Sequence, residues 1–247
     1  MINMIRADLY RVSKSWVTYA PFAGLLLFQL IMVILSEPLD AGASVEMVHS
    51  LLSYGNFFFV IAMLPFVFCV SVPIFADSTM KNDISWGMSR TKLYVSKVLI
   101  MALLSFLLYL FYIGTGIVLA VITVGFGSTS AGFWPSLFQA MGAQMVGIFA
   151  LCSLMVFLSF LLKKPYVLTE VLALFLILPQ LINWILSLID LDAPWVLYFE
   201  LMSNIQRFAD FSLLDSRTIL VAFGVIAVWM TAPLVLGITL LRRADIK

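Results

Sequence analysis

Six long apolar runs constrain the fold of this chain more than any other feature. An α-helix needs about 20 mostly apolar residues to cross the hydrocarbon core of a bilayer, and each run supplies such a stretch. Helix is the predicted structure because backbone groups in lipid have to be satisfied within their own segment. The spans are predicted near Thr18–Leu35, Asn56–Phe75, Val98–Val124, Ser136–Leu162, Tyr166–Ile189 and Thr218–Leu241.

The composition agrees with these runs. Of the 247 residues, 63% are hydrophobic and 11% are charged, whereas a soluble globular domain has about 45–50% and about 25%. These values exclude a disordered protein, a nucleic-acid-binding protein and an ordinary cytosolic enzyme. The sequence therefore predicts an all-α integral membrane protein with a single transmembrane domain over residues 1–247.

The charged residues are distributed unevenly along the chain. Twelve of the fourteen Lys and Arg residues lie in the N-terminus, in the loops after spans 2 and 4, and in the C-terminus. Eight of the thirteen acidic residues lie in the loops on the opposite side. By the positive-inside rule, six spans with both termini in the cytoplasm are predicted.

Residues 1–16 form a candidate amphipathic helix. Basic residues opposite an apolar stripe suit a helix that lies in the inner headgroup layer. The alternative is that these residues extend span 1 into the cytoplasm. The apolar stripe consists of Ile2, Ile5, Leu9, Val12 and Trp16, and Arg6, Arg11 and Lys14 lie elsewhere on the helix.

Two connecting segments have mixed polar and apolar surfaces. The cytoplasmic loop over residues 76–97 interleaves apolar side chains with charges, which suits docking to a soluble protein; the alternative is a solvated loop that only fixes topology. The outer segment over residues 190–217 is predicted to form short helices that dip into the outer leaflet or cap the bundle. Its apolar stripe is Trp195, Tyr198, Phe199, Met202 and Ile205, with Glu200, Ser203, Asn204 and Arg207 off the stripe.

Sequence signatures of catalysis are missing. The chain has no phosphate-binding loop, no H-E-x-x-H and no G-x-S-x-G motif, so no catalytic residue is predicted. His49 has no partner at metal-ligand spacing, and no metal site is predicted. Cys69 and Cys152 fall in apolar runs, where they are expected to be small buried side chains.

A few polar groups do fall inside the spans. Glu170 is the one clear ionisable candidate, and it is expected to pair with Lys163 or Lys164 near the inner surface, to snorkel to that surface, or to line an inward cavity. Ala143 and Gly147 make a small-xxx-small face for close helix packing. The candidate cavity residues are Glu170, Asn183, Gln144 and Gln29.

The stretch from Phe75 to Lys97 resembles the first cytoplasmic loop of ABC-2-type transporter permeases, particularly the small bacterial group of bacitracin-export and lantibiotic-immunity permeases. The chain departs from that pattern at Ser78, where the family usually has glycine. The matching residues are Phe75, Asp77, Thr79, Lys81, Asn82, Ile84, Ser85, Gly87, Ser89, Arg90, Tyr94, Ser96 and Lys97.

The resemblance implies an export permease of amphipathic peptides, antibiotics or lipid-like molecules in the bacterial cytoplasmic membrane. The loop would carry a coupling helix, residues 1–16 an elbow helix, and residues 190–217 re-entrant outer helices. Two permease chains, identical or sister, would pair with two ATPase subunits that bind ATP and Mg, so no cofactor is expected in this chain. The implied coupling residues are Asp77, Thr79, Lys81, Asn82, Ile84, Ser85, Gly87, Ser89 and Arg90.

Two functions from other classes stay open. The first is a stand-alone secondary transporter or channel, which buried ionisable residues would favour. The second is a membrane sensor subunit that carries no cargo.

Overall fold

The computed structural model describes residues 2–35, 44–71, 89–124, 133–162, 164–188 and 199–243. Within these ranges every regular element is a helix, including two 3-10 segments, Trp16–Thr18 and Phe208–Leu213. The α-helices are α1 (Ile2–Lys14), α2 (Ala20–Leu35), α3 (Ser44–Val70), α4 (Arg90–Val124), α5 (Phe133–Leu162), α6 (Pro165–Leu188), α7 (Leu201–Arg207) and α8 (Ser216–Arg243).

Five described segments are long and apolar enough to cross a membrane, and they coincide with predicted spans 1, 3, 4, 5 and 6. This finding agrees with a multi-pass helical membrane protein. Predicted span 2 falls on α3, whose described apolar part, Phe57–Val70, is shorter than the other five. The five segments are Trp16–Ile34, Arg90–Thr123, Phe133–Leu162, Val167–Leu186 and Ser216–Arg242.

Helix α4 begins earlier than the sequence predicts. Span 3 was expected to start at Val98, whereas the helix starts at Arg90. The added turns are polar, but they are held by neighbouring helices, because Tyr94 and Lys97 are 0% and 2% exposed. The last residues of the predicted cytoplasmic loop therefore belong to α4, the helix that contains predicted span 3.

Helix α5 is the centre of the bundle. In the most apolar 18-residue stretch of each helix, 67% of the residues are buried in α5, against 13% in α6 and 17% in α8. Its enclosed residues include Ala143, Gly147 and the run from Ala150 to Val156. The peripheral helices leave large apolar side chains exposed, such as Leu174 and Val228, which is the surface expected of helices that face lipid.

Helix α1 is amphipathic, and its apolar face packs against the bundle. Val12 is 2% exposed, and Ile5 and Leu9 pack against the core. The sequence predicts Trp16 on this face, but the structure places it elsewhere. It lies in the 3-10 turn after α1 and is 79% exposed.

Candidate functional site

The predicted coupling residues are described only at one edge of their loop. Ser89 is exposed, and Arg90 is partly buried at the start of α4. The guanidinium of Arg90 donates hydrogen bonds to the carbonyls of Leu241 (3.0 Å) and Arg242 (3.2 Å). Outside the described residues lie Asp77, Thr79, Lys81, Asn82, Ile84, Ser85 and Gly87.

The first turns of α4 are bonded to the last turns of α8. Besides the Arg90 contacts, the side chain of Arg242 donates to the Thr91 hydroxyl at 3.2 Å. One turn further in, the Tyr94 hydroxyl donates to the carbonyl of Pro233 at 3.1 Å. A helix C-terminus carries unsatisfied carbonyls, which an arginine is well suited to bind. We call this end of the bundle the basic end.

An ionic cluster at the basic end joins α1 to its neighbours. The Lys97 ammonium lies 2.5 Å from one carboxylate oxygen of Asp8, and the Arg11 guanidinium lies 3.2 Å from the other. Arg11 also donates to the carbonyl of Cys69 near the end of α3, at 3.4 Å. Lys97 is 2% exposed and Asp8 is 13% exposed, so this pair lies largely out of water.

Gln29 and Gln144 were predicted as cavity residues, but the structure encloses both of them. Gln29 is 1% exposed; its amide nitrogen donates to the Tyr112 carbonyl (2.6 Å) and its oxygen accepts from Thr115 (2.7 Å). These contacts tie α2 to α4. A buried amide that is bonded in this way fixes helix packing rather than lining an open path.

Gln144 joins four helices. Its oxygen accepts from the Tyr109 hydroxyl of α4 at 2.8 Å. Its nitrogen donates to the carbonyls of Leu52 in α3 (2.9 Å) and Ile205 in α7 (3.2 Å). With 0% exposure, this side chain is the polar centre of the bundle.

Glu170, another candidate cavity residue, is exposed. Among the described side chains it forms no ion pair, and the predicted partner Lys163 lies outside the described residues. The fourth predicted cavity residue, Asn183, lies in α6, and its side chain is likewise outside the described part of the chain.

The segment Phe199–Leu213 packs against the bundle, and its residues 200–205, with Phe208 and Ala209, are buried there. The Trp229 indole donates to the Phe199 carbonyl at 3.0 Å, and Trp229 is about 20 Å along α8 at 1.5 Å per residue. Gly147, which contacts Ile205, is about 21 Å along α5 by the same rise. Phe208 packs on Phe223 of α8 with ring centroids 4.9 Å apart. The segment thus starts deep between α5 and α8 and rises away from the basic end.

Glu200 is the buried acid that sequence reasoning missed. It is 5% exposed, and its carboxylate accepts a hydrogen bond from the Ser203 hydroxyl. Burial raises the pKa of the Glu200 carboxyl, while the Ser203 hydrogen bond and the charge of Arg207 oppose this rise. The signal was present in the sequence. Polar residues at 200, 203, 204 and 207 share one helical face off the predicted apolar stripe, and Ser203 and Asn204 are buried together with Glu200.

The described residues contain no group of His, Cys, Asp and Glu side chains that could hold a metal ion. Cys69 and Cys152 are free thiols.

Neither a protein-family model nor a curated protein sequence matches this chain.

Proposed function

We propose that the chain is the permease subunit of an ATP-driven ABC exporter of amphipathic peptides, antibiotics or lipid-like molecules. In this proposal α2, α3, α4, α5, α6 and α8 are the six spans, and α1 is the elbow helix. The cytoplasmic segment over residues 76–90, which leads into α4, docks on a separate ATPase, two copies of which bind ATP and Mg. Two permease chains form the complex in a bacterial cytoplasmic membrane, with both termini in the cytoplasm.

The observation that carries the proposal is the buried part of the segment Phe199–Leu213, residues 200–205 with Phe208 and Ala209, which packs between the long helices. A simple connection between α6 and α8 has no need to enter the bundle. Here the segment descends to the depth of Trp229, and α7 occupies the small-residue face of α5. A folded-back segment before the last span is what the permease resemblance implies at this position.

Helix α8 provides a physical connection for coupling in this proposal. Near the basic end it is bonded to Arg90, the last residue of the implied coupling motif. Toward the other end it holds the segment through Trp229 and Phe223. A displacement of the loop by the ATPase would thus reach the segment through one rigid helix. Two discrete arrangements of α8 are the element that such coupling requires.

Transport by the complex tests the proposal. The tagged chain is purified from its native membranes with its associated ATPase and reconstituted in inside-out vesicles with fluorescently labelled bacitracin as the probe. Uptake that depends on ATP hydrolysis is expected. Uptake driven by an ion gradient without ATP, or purification without an ATPase, contradicts the proposal.

Lys81→Glu tests docking to the ATPase more specifically than changes at residues 87–90 do. Charge reversal at Arg90, or deletion of residues 87–90, would also remove the bonds to the end of α8. Lys81→Glu is expected to abolish ATP-dependent uptake while the protein still inserts. Arg217→Glu is the matched control, since Arg217 is exposed near the start of α8, at the opposite end of that helix from the basic end.

The buried carboxyl of Glu200 favours a second candidate function, an ion-coupled transporter. Enclosing an ionisable residue at this depth costs free energy. Such residues in membrane proteins often mark proton relays. In that case a pH gradient alone drives bacitracin uptake, and Glu200→Gln abolishes it. In the ABC proposal, ATP-dependent uptake persists in Glu200→Gln.

A further inference from the structure

The ionic cluster around Asp8 has a position that packing alone does not explain. Residues 72–88 connect α3 to α4, and α1 contacts both helices at the bases of this connection. On the α3 side, the Arg11 side chain donates to the carbonyl of Cys69, one residue before α3 ends at Val70. On the α4 side, Asp8 binds Lys97, two turns after the helix begins.

Asp8 is the shared member of this arrangement. One of its oxygens faces Arg11 and the other faces Lys97. The apolar face of α1 keeps Asp8 there, because Val12, one turn along the helix, is buried against the bundle. The exposed charges of α1, Arg6 and Lys14, lie on other parts of the helix and do not take part.

We propose that α1 is a brace that fixes the spacing of α3 and α4, the two helices that flank residues 72–88, with Asp8 as its positioning residue. This inference rests on the proposed function for its consequence. A loop whose two bases are held apart by a rigid helix transmits a push to both α3 and α4. A loop on loose bases absorbs that push by deforming.

The energetics of ion pairs provide a way to separate bracing from mere packing. Removing one partner of a buried pair is strongly destabilising because it leaves a buried charge without its counter-charge. Replacing both partners by uncharged side chains of similar volume often leaves the free energy of unfolding unchanged. Asp8→Asn is therefore expected to destabilise the protein, and the double variant Asp8→Asn/Lys97→Met is expected to recover much of that loss without restoring the bridge.

The experiment measures the α3–α4 distance in the full chain in lipid nanodiscs. Spin labels at Ile61 of α3 and Leu99 of α4, both exposed, are placed in a background with Cys69→Ala and Cys152→Ala, and thermal unfolding is recorded alongside. The wild-type pair is expected to give one narrow distance distribution. The double variant is expected to regain the unfolding temperature but to keep a broad distribution. Arg6→Gln is the matched control and is expected to leave both readouts unchanged.

Two results overturn the brace. One is a double variant that regains both the unfolding temperature and the narrow distribution. The other is a narrow distribution in Asp8→Asn itself. Either result reduces the cluster to ordinary packing.

The distance readout needs no ATPase, so it stays informative if the proposed function fails. Where ATP-dependent bacitracin uptake is present, the double variant is expected to lower uptake per ATP hydrolysed about fivefold or more, in the range of typical coupling free energies. Unchanged uptake per ATP together with a broad distribution overturns the coupling role of the brace. Absence of ATP-dependent uptake in the wild type overturns the proposed function instead.

Discussion

Gly147 of α5 lies directly against the side chain of Ile205 in α7, and a Cβ at Gly147 would overlap Ile205 Cγ1. One turn earlier, Gln144 donates to the Ile205 carbonyl. The same patch of α5 therefore holds both the side chain and the backbone of Ile205. This contact fixes a short helix of seven residues inside a bundle of much longer ones.

Gly147→Ala is expected to destabilise the protein. Inserting a methyl group into a packed contact typically costs about 1–3 kcal/mol, because neighbouring atoms have to shift. Thermal unfolding followed by tryptophan fluorescence measures the loss. Ile205→Ala in the same chain should recover part of it, since the overlapping atoms are then gone.

Gly142→Ala is the matched control for this prediction. Gly142 is exposed on the same helix and has no atom near the position of a Cβ. Alanine is favoured over glycine in a helix by about 0.5–1 kcal/mol, so this variant should be neutral or more stable. Equal losses in the two variants would contradict the role given to the Gly147–Ile205 contact.

Gln144→Leu is expected to release the segment Phe199–Leu213. The substitution removes three hydrogen bonds, each worth about 0.6 kcal/mol between membrane helices and thus about 2 kcal/mol together. Hydrogen exchange should speed up in residues 201–213 more than in α4 or α8. Gln139→Leu, at an exposed position of the same helix, should leave exchange unchanged. Faster exchange of residues 201–213 in this variant as well would contradict a specific role of Gln144 in holding the segment.

Glu200 is expected to make stability depend on pH. Burial raises the pKa of its carboxyl above the ordinary value of 4.5, so the folded state binds the proton more tightly than the unfolded state. The resulting stabilisation is complete below pH 4.5 and is lost as the pH rises through the raised pKa. The unfolding temperature of the wild type, relative to Glu200→Gln, should therefore rise as the pH is lowered from 8 toward 4.5.

Ser203→Ala sharpens the pH test. The Ser203 hydroxyl donates to the Glu200 carboxylate and so favours the charged form. Removing this donor should raise the pKa further and move the pH dependence to higher pH. Parallel pH profiles in wild type and Glu200→Gln would show that Glu200 is not the group responsible.

Arg90→Ala is expected to loosen the end of α8. Two hydrogen bonds from a charged group are lost, and because Arg90 is only partly buried we expect a cost of about 1 kcal/mol. Limited proteolysis and hydrogen exchange over residues 236–242 measure the effect. Lys92→Ala, an exposed neighbour on α4, should show wild-type protection; a matching loss there would point to a general charge effect.

The helices were predictable because their signals are local. Runs such as Ser136–Leu162 are identified by length and apolarity, and the observed helix Phe133–Leu162 begins within three residues of that prediction. The start of α4 was placed eight residues late. Lys97 looks like a loop residue until Asp8 is known to lie beside it, and Arg90 does so until its bonds to α8 are known.

The polar sites were less predictable than the spans. Gln29 and Gln144 were correctly singled out as polar groups within spans, yet their partners are mostly backbone carbonyls, which carry no sequence pattern. The exposure of Glu170 and the burial of Glu200 could not be read from their positions along the chain. Glu170 lies within an apolar run but on a face that stays exposed, and Glu200 lies in a connecting segment that folds into the bundle.

The sequence by itself determined that the chain is helical and rich in membrane-length apolar segments, because hydrophobic length and charge placement act on each segment separately. The tertiary structure decided what each polar residue does. Whether a carboxyl is buried, or an amide bonded, depends on which helix lies opposite, and that choice is made by packing between distant parts of the chain. Asp8 with Lys97, and Gly147 with Ile205, are pairs that only this packing brings together.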